Sequence, residues 1–447
     1  MDTPIADFVE RYKNRRMSRF HMPGHKGHVF FGWEPYDITE IKGADVLHMG
    51  DGIIRESEKN AGRLFGSGAT HYSTEGSSHG IKVMLAVLRM ESGQKSPFLL
   101  AARNIHRSMI DACALLDFDV EFIESRDVQS LCSVKITAED VADALHSAKE
   151  LPVAVYLTSP DYLGEISDIS GISKVCEAFG IPLVVDNAHG AYLHFWEHSH
   201  PLDQGAAMCC DSAHKTLPVL TGGAYLHIHK KYVERFEPYV TPAMCLFGST
   251  SPSYLVLQSL DLCNRYLSEG YKRKLVNCVQ RLENTKKHML KYGIPIRMSE
   301  PLKLVLQTAK CGYPGEEIAE ELRGFGVECE YADREQVVFM ITPENTEEDF
   351  KRLEAWAENS VLVRERKEEI AGYFSGSFRA ERVLRIREAV FAKSEVISVT
   401  EAAGRVCAAE TVSCPPAVPV AVCGERITEE MIRVFLECGI TKVSVVS

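Results

Sequence analysis

One acidic and one basic residue stand out by their type and setting. Asp186 ends the β-branched run 183–185, and Lys215 lies between His214 and Thr216. A carboxylate can pair with a protonated pyridine nitrogen, and a lysine amine can form a Schiff base with an aldehyde. Together they fit the chemistry of pyridoxal phosphate (PLP). An isolated Asp and Lys would more often be a helix cap and a solvated side chain, but neither sequence cluster resembles a charged helix face.

Small polar residues at a helix start could bind the phosphate of such a cofactor. Gly76, Ser77 and Ser78 immediately precede an apolar stretch with helical periodicity. Backbone N–H groups at a helix N-terminus form an anion site, although this fragment alone also fits a plain capped helix. Ser212 and His214 offer further hydroxyl and imidazole groups.

Three other histidines have settings that bear on chemistry. His106 lies in the turn after the strand-like run 97–101, where an imidazole could stack on a flat heteroaromatic ring, or be an ordinary loop residue. His21 and His25 flank a Pro-Gly pair, which breaks the i,i+4 helical geometry of zinc helices. The sequence therefore predicts no metal site.

The elements that must position these residues alternate regularly. Strand-like runs at residues 97–101, 120–123, 153–157, 183–185 and 206–210 are separated by helical stretches. This alternation predicts an α/β fold with a mostly parallel, doubly wound sheet, whose carboxyl edge binds ligands. Shorter strands and helices from about residue 295 predict a smaller α+β domain.

We predict four domains from these patterns. They are an N-terminal helix and loop segment (1–55), a PLP-binding large domain (56–292), a small α+β domain (293–375) and a C-terminal domain (376–447).

The composition limits which partners and which cellular compartment we expect. The net charge of −12 argues against nucleic acid and anionic membranes as partners, and weakly favours cationic small molecules. We find no uninterrupted apolar stretch of roughly 18 residues. The 14 cysteines are scattered, often within apolar runs, so we expect a cytoplasmic protein with reduced cysteines.

Five motifs occur in one order: HMPGHKG, STEGSSHG, RNIHRS, VVDNAHGAY and DSAHKT. Together they resemble the Orn/Lys/Arg decarboxylase family, over about residues 15–230, with a weaker match at PPAVPVAVCGE. The resemblance implies a PLP-dependent transferase (aspartate aminotransferase-like, fold type I) large domain with a smaller α+β domain and a C-terminal family domain. By the same resemblance we expect a short form, without the N-terminal receiver-like domain of the larger members.

The resemblance also implies roles for individual residues. Lys215 would carry PLP, Asp186 would pair with its pyridine nitrogen, and His106 would stack on its ring. The remaining implied site residues are Gly76, Ser77, Ser78, Ser212 and His214 at the phosphate, His189 beside the cofactor, and Glu425 at the distal cation of the substrate.

The implied reaction is decarboxylation of lysine, ornithine or arginine to the amine and CO₂, in polyamine biosynthesis. The implied assembly is a homodimer or higher homo-oligomer. Alternatives are an aminotransferase or lyase on the same fold, for which Arg323 is a residue to test, and a non-catalytic PLP-binding regulator. The chain departs from the family pattern at Glu75, at Ser57 and Glu58, in the loop PDYLG and at Ala417.

Overall fold

The computed structural model describes residues 1–130, 132–370, 380–409, 411–412 and 418–447. The chain divides into two compact units. The first unit contains Met1–Leu99, Ala148–Leu157 and Ile169–Lys272. The second contains Leu100–Ser147, Thr158–Asp168 and Arg273–Ser447.

α-Helices of four or more residues occur throughout the described chain. They are α1 (Pro4–Asn14), α2 (Ile53–Leu64), α3 (Gly76–Ser92), α4 (Arg107–Leu116), α5 (Ala138–Ser147), α6 (Ile169–Ala178), α7 (Ala213–Thr216), α8 (Val233–Phe247), α9 (Tyr254–Ser268), α10 (Tyr271–Lys291), α11 (Gly315–Gly324), α12 (Glu347–Asn359), α13 (Val361–Arg364), α14 (Ile386–Phe391) and α15 (Glu429–Glu437). Among these helices, none combines the length and the apolar character that crossing a bilayer requires.

The strands are short. They are β1 (Ala69–Ser73), β2 (Phe98–Ala101), β3 (Asp119–Phe122), β4 (Asp127–Ser130), β5 (Ser133–Lys135), β6 (Ala154–Thr158), β7 (Leu183–Asp186), β8 (Met208–Asp211), β9 (Ala224–Ile228), β10 (Ile296–Arg297), β11 (Lys303–Leu306), β12 (Tyr331–Ala332), β13 (Val337–Met340), β14 (Ser394–Ser398), β15 (Thr411–Val412), β16 (Pro419–Ala421) and β17 (Lys442–Val446).

A seven-stranded sheet in the order β1-β9-β8-β7-β6-β2-β3 confirms the predicted α/β fold. Strands β7 and β8 pair in parallel, with Asp186 opposite Cys210. Every residue of β7, β8 and β9 is buried, as expected for strands covered on both faces. Asp186 and Asp211 are the last residues of β7 and β8, so both strands deliver a carboxylate to the same edge.

Strand β1 is a part of the sheet that sequence patterns did not predict. It pairs antiparallel with β9, with Tyr72 opposite Tyr225. The side chain of Glu58 on α2 accepts the backbone N–H of Tyr72 at 2.9 Å and an N–H of Arg55 at 3.0 Å. Because β1 ends the sheet order, this carboxylate supplies an acceptor that no neighbouring strand provides.

Ser57, which like Glu58 departs from the family pattern, also has a structural role. Ser57 Oγ donates to Asp261 Oδ1 at 2.6 Å. The other oxygen of Asp261 accepts the N–H groups of Ile5 and Ala6 at 2.9 and 3.0 Å. A carboxylate at the N-terminus of α1 is stabilising, so Asp261 connects α1, α2 and α9.

The second unit contains a four-stranded sheet in the order β10-β11-β13-β12, in which each pair of neighbouring strands is antiparallel. The C-terminal segment has a core of its own around α15, including Met431, Phe435, Val420 and Val445. The three boundaries between the four predicted domains stay a prediction, and the last of them, like Ala417, lies outside the described residues.

Candidate active site

Lys215 lies on the single turn α7, immediately after β8. Its Nζ is 3.1 Å from Nε2 of His189, which follows β7. Two residues that are distant in sequence therefore meet at the carboxyl edge of adjacent parallel strands. This is the edge at which α/β sheets bind their ligands.

Asp186 is buried beside this pair, with 2 % of its surface exposed. One carboxylate oxygen accepts the N–H of Ala188 at 3.1 Å, and the other accepts the hydroxyl of Tyr156 at 3.5 Å. Burial raises the pKa of Asp186 to about 6, while the Lys215 ammonium and these donors act in the opposite direction. A cationic partner at this carboxylate would offset the cost of its burial.

The predicted phosphate residues come together from two elements. Ser212 Oγ donates to Ser77 Oγ at 2.6 Å, which connects the end of β8 to the first turn of α3. Gly76 begins the helix with φ of +73°, a conformation that favours glycine. Ser78 follows in the same turn, where the helix dipole favours an anion.

Glu75 precedes this turn but does not cap it. Its side chain makes no capping hydrogen bond to α3, and Oε1 instead accepts the N–H of Ser249 at 2.6 Å. The negative charge at this departure from the family pattern is thus bound by another backbone group. The first turn of α3 keeps its capacity for an anion.

A close helix-to-strand approach keeps that turn in place. A Cβ atom on Gly80 of α3 would lie 2.3 Å from Sγ of Cys210 on β8. Only glycine allows this approach. The thiol of Cys210 in turn donates to the carbonyl of Ser77 at 3.5 Å.

His214 is half-buried and already engaged. Its Nδ1 donates to the carbonyl of Gly223 at 3.0 Å, which holds the turn after Lys215. Burial lowers the pKa of His214 and favours the neutral ring. In that form Nε2 is an acceptor, so a hydrogen bond from Nε2 to a phosphate requires protonation.

A buried network around Asp211 was not predicted from the sequence. Asp211 accepts a hydrogen bond from the side chain of Asn187 at 2.7 Å and one from His200 Nε2 at 2.9 Å. His227 Nε2 lies 3.4 Å from the same carboxylate. These histidines hold the pKa of Asp211 well below its usual value, despite the opposing effect of burial. Asn187 follows Asp186, and Asp211 precedes Ser212. Their hydrogen bond therefore connects the ends of β7 and β8, where these two site residues lie.

His106 and Glu425 both lie in the second unit. His106 caps α4, and its Nδ1 accepts the N–H of Ser108 at 3.1 Å. Glu425 is buried, and its carboxylate accepts a hydrogen bond from Arg103 at 3.3 Å and the N–H of Val422 at 2.8 Å. A substrate cation at Glu425 would share the carboxylate with Arg103.

Arg323, the residue to test for an aminotransferase, already pairs with two carboxylates. It is at the end of α11 and forms ion pairs with Glu320 at 2.7 Å and Glu328 at 3.1 Å. Nothing in its contacts favours binding of an α-carboxylate.

The residues of the first unit fit PLP. A buried carboxylate, a lysine beside a histidine, and an open helix N-terminus with two serines match the ring nitrogen, the aldehyde and the phosphate of this cofactor. The strongest single sign is the burial of Asp186, because an apolar side chain would otherwise fill this position at lower cost.

Two family models match the chain. The model described as Orn/Lys/Arg decarboxylase, major domain, matches residues 3–304, and the model for the C-terminal domain of the same family matches residues 383–439.

Curated relatives match over nearly the whole chain. The uncharacterized protein YaaO of Bacillus subtilis is 30% identical over 97% of this chain and 93% of its own length. An arginine decarboxylase of the same organism is 28% identical over 96% of this chain and 92% of its own.

Among solved structures, the lysine decarboxylase of Francisella novicida superposes with a TM-score of 0.80. It is 16% identical, and the alignment covers 100% of this chain and 81% of that one. At this identity the likeness shows the fold, and it confirms the predicted fold type I.

Proposed function

The chain belongs to the Orn/Lys/Arg decarboxylase family, and on this premise we propose that it decarboxylates arginine in a PLP-dependent reaction. Its class, that of basic amino acid decarboxylases, follows from the family. The substrate, the cofactor and the roles of single residues are the proposal.

One observation carries the proposal: Lys215 Nζ lies 3.1 Å from His189 Nε2, at the sheet edge to which β7 also delivers the buried Asp186. A binding-only protein has no chemical need for this lysine, histidine and aspartate. An aminotransferase on the same fold is a second candidate, but the contacts of Arg323 do not favour it.

Each residue then has a defined task. Lys215 would hold the cofactor through its amine, Asp186 would accept a hydrogen bond from the protonated ring nitrogen, and His106 is our candidate for stacking on the ring. Ser77, Ser78 and Ser212, with Gly76 and His214, would hold the phosphate. When bound, PLP supplies the electron sink for the pair left at Cα as CO₂ departs. The Lys215 and His189 pair can hold the proton that the product requires at Cα.

Arginine is the first substrate to test because a relative that aligns over 96% of this chain is an arginine decarboxylase. Its product, agmatine, would place the enzyme in polyamine biosynthesis. We propose that a carboxylate binds the guanidinium of the substrate. Glu425 stays our candidate, and its carboxylate would then bind both the substrate and Arg103.

We also propose a homodimer, from an exposed apolar segment in the first unit. Phe20, Phe30, Phe31 and Trp33 are all exposed, and the rings of Phe31 and Trp33 stack with centroids 5.5 Å apart. The buried carboxylate of Glu34 accepts the N–H groups of residues 30, 31 and 32 and so fixes this turn. An ordered, exposed apolar turn of this kind is typical of a protein interface.

The first test is product analysis. PLP-supplied protein is incubated separately with arginine, lysine and ornithine, and agmatine, cadaverine and putrescine are measured by mass spectrometry. We expect agmatine from arginine, and none from Lys215→Ala protein whose fold is verified by circular dichroism. Cadaverine or putrescine alone would overturn the substrate, and absence of all three amines would overturn the reaction.

A further inference from the structure

A loop in the first unit carries three metal-ligating side chains whose ligand atoms all lie within 4.8 Å of one another. They are His194, His198 and Asp203. His194 Nδ1 is 2.9 Å from Asp203 Oδ2, and His198 Nδ1 is 3.9 Å from the same oxygen. This cluster has no part in the proposed decarboxylation.

The chain brings these side chains together by a sharp local turn. His194 lies on the short 3-10 helix Ala191–Phe195, and the rings of His194 and His198 have centroids 5.9 Å apart. Glu197 and His198 itself adopt φ of +50° and +52°. Two consecutive non-glycine residues in the left-handed region are uncommon, and here they return the chain so that His198 faces His194.

Distances and charge favour a transition metal. Zinc binds imidazole nitrogen and carboxylate oxygen at about 2.0–2.2 Å, so two of its ligand atoms lie no more than about 4 Å apart. Asp203 meets this limit with both histidines, at 2.9 and 3.9 Å. The ligand atoms of the two histidines lie within 4.8 Å, and rotation of the exposed His198 can bring them closer. The side chain of His198 is 75 % exposed and can rotate, whereas only 15 % and 19 % of the side chains of His194 and Asp203 are exposed.

We propose that His194, His198 and Asp203 bind one divalent transition metal ion such as Zn²⁺, with water completing its coordination. Two imidazoles and one carboxylate suit zinc, cobalt or nickel better than magnesium or calcium, which prefer oxygen ligands. Asp203 carries the only formal negative charge of the three, so the bound ion retains positive charge, which the exposed position allows.

A second cluster nearby in sequence does not carry the same inference. His200, Cys209 and Asp211 are fully buried and also lie within 4.8 Å of one another. However, His200 Nδ1 accepts the N–H of Leu202 at 3.4 Å, so the proton of the neutral ring is on Nε2, which donates to Asp211. Moving that proton to Nδ1, so that Nε2 could bind a metal, would break the bond from Leu202. His194 Nδ1 also donates to Asp203, at 2.9 Å, but no second described hydrogen bond fixes the tautomer of His194, so its proton can move to Nε2 when a metal binds.

Metal binding would connect the helix after His189 to the loop that contains His200. The 3-10 helix Ala191–Phe195 follows His189 closely in sequence, and residues 198–203 belong to the loop that precedes β8. We therefore expect the ion to stabilise the first unit rather than to take part in chemistry.

The test is zinc binding to tag-free, PLP-loaded protein after dialysis against a chelator. Isothermal titration with Zn²⁺ should give one site per chain, confirmed by elemental analysis after desalting. His198→Ala and Asp203→Asn should each weaken binding at least about tenfold, since each removes one of three ligands. Zinc should also raise the melting temperature of the wild type but not of His198→Ala.

Two control variants make the result specific. His146→Ala removes an exposed histidine from α5, and Cys209→Ser alters the buried cluster; both should bind zinc as the wild type does. Unchanged affinity in His198→Ala and Asp203→Asn, loss of binding in Cys209→Ser, or no wild-type binding below about 1 mM zinc would each overturn the proposal.

Discussion

In the protein without cofactor, the carboxyl group of Asp186 holds its proton more tightly than an ordinary aspartate does. Its pKa is raised to about 6 by burial, and a ring cation bound to it would lower that value again. Below about pH 6 the apoprotein must therefore release this proton when the cofactor binds. By linkage, Asp186 weakens cofactor binding as the pH falls, by up to about tenfold per pH unit.

We predict that the dissociation constant of PLP rises more steeply between pH 7 and pH 5 for the wild type than for Asp186→Asn. Titration of both apoproteins with PLP, followed by absorbance, measures the difference, because protons on the cofactor itself affect both proteins alike. At pH 7.5 the variant should bind about 10- to 100-fold more weakly, for loss of a charged hydrogen bond. Parallel pH profiles would exclude Asp186 as the ring partner.

Glu58 shows how one side chain completes an element. The backbone N–H of Tyr72 on β1 is buried, and its acceptor is the Glu58 carboxylate at 2.9 Å. In Glu58→Ala that N–H loses its partner, at a cost of about 1–3 kcal/mol. Since β1 leads directly to the first turn of α3, the proposed phosphate site, the loss should loosen both.

We predict faster hydrogen exchange of the β1 amides, residues 69–73, in Glu58→Ala than in the wild type, measured by mass spectrometry of that peptide. Glu58→Gln retains an acceptor oxygen and should lie between the two. The exposed neighbour Glu56→Ala on the same helix is the control, and should exchange like the wild type. If β1 exchange is the same in all four proteins, Glu58 does not hold the edge strand.

At the scale of the whole molecule, the exposed rings of Phe31 and Trp33 bear on assembly. If they lie in the interface of the proposed homodimer, removing both should lower the association constant, because burial of aromatic area drives most such contacts. The double substitution Phe31→Ser with Trp33→Ser should halve the mass measured by light scattering at micromolar concentration.

Phe391→Ser provides a matched control. Phe391 is 64 % exposed at the end of α14, in the second unit. Its loss should leave the mass unchanged. A wild type that is monomeric at every concentration would contradict the dimer itself, whereas a dimeric double variant would contradict only this surface.

Local sequence patterns were sufficient to predict much of the fold. The alternation of apolar runs and helical stretches predicted β2, β3, β6, β7 and β8 to within a few residues, because buried parallel strands are recognisable by their own composition. Residue type and setting also singled out Asp186 and Lys215.

The sequence by itself thus determined which residues have the chemical types for the proposed reaction and which strands deliver them. Tertiary structure decided the rest, because a partner that is distant in sequence leaves no local pattern. It paired β1 with β9, joined Asp211 to Asn187 and His200, and bound Glu425 to Arg103. It also placed His194, His198 and Asp203 around one point, through a turn whose left-handed residues are not glycines and so gave no signal in the sequence.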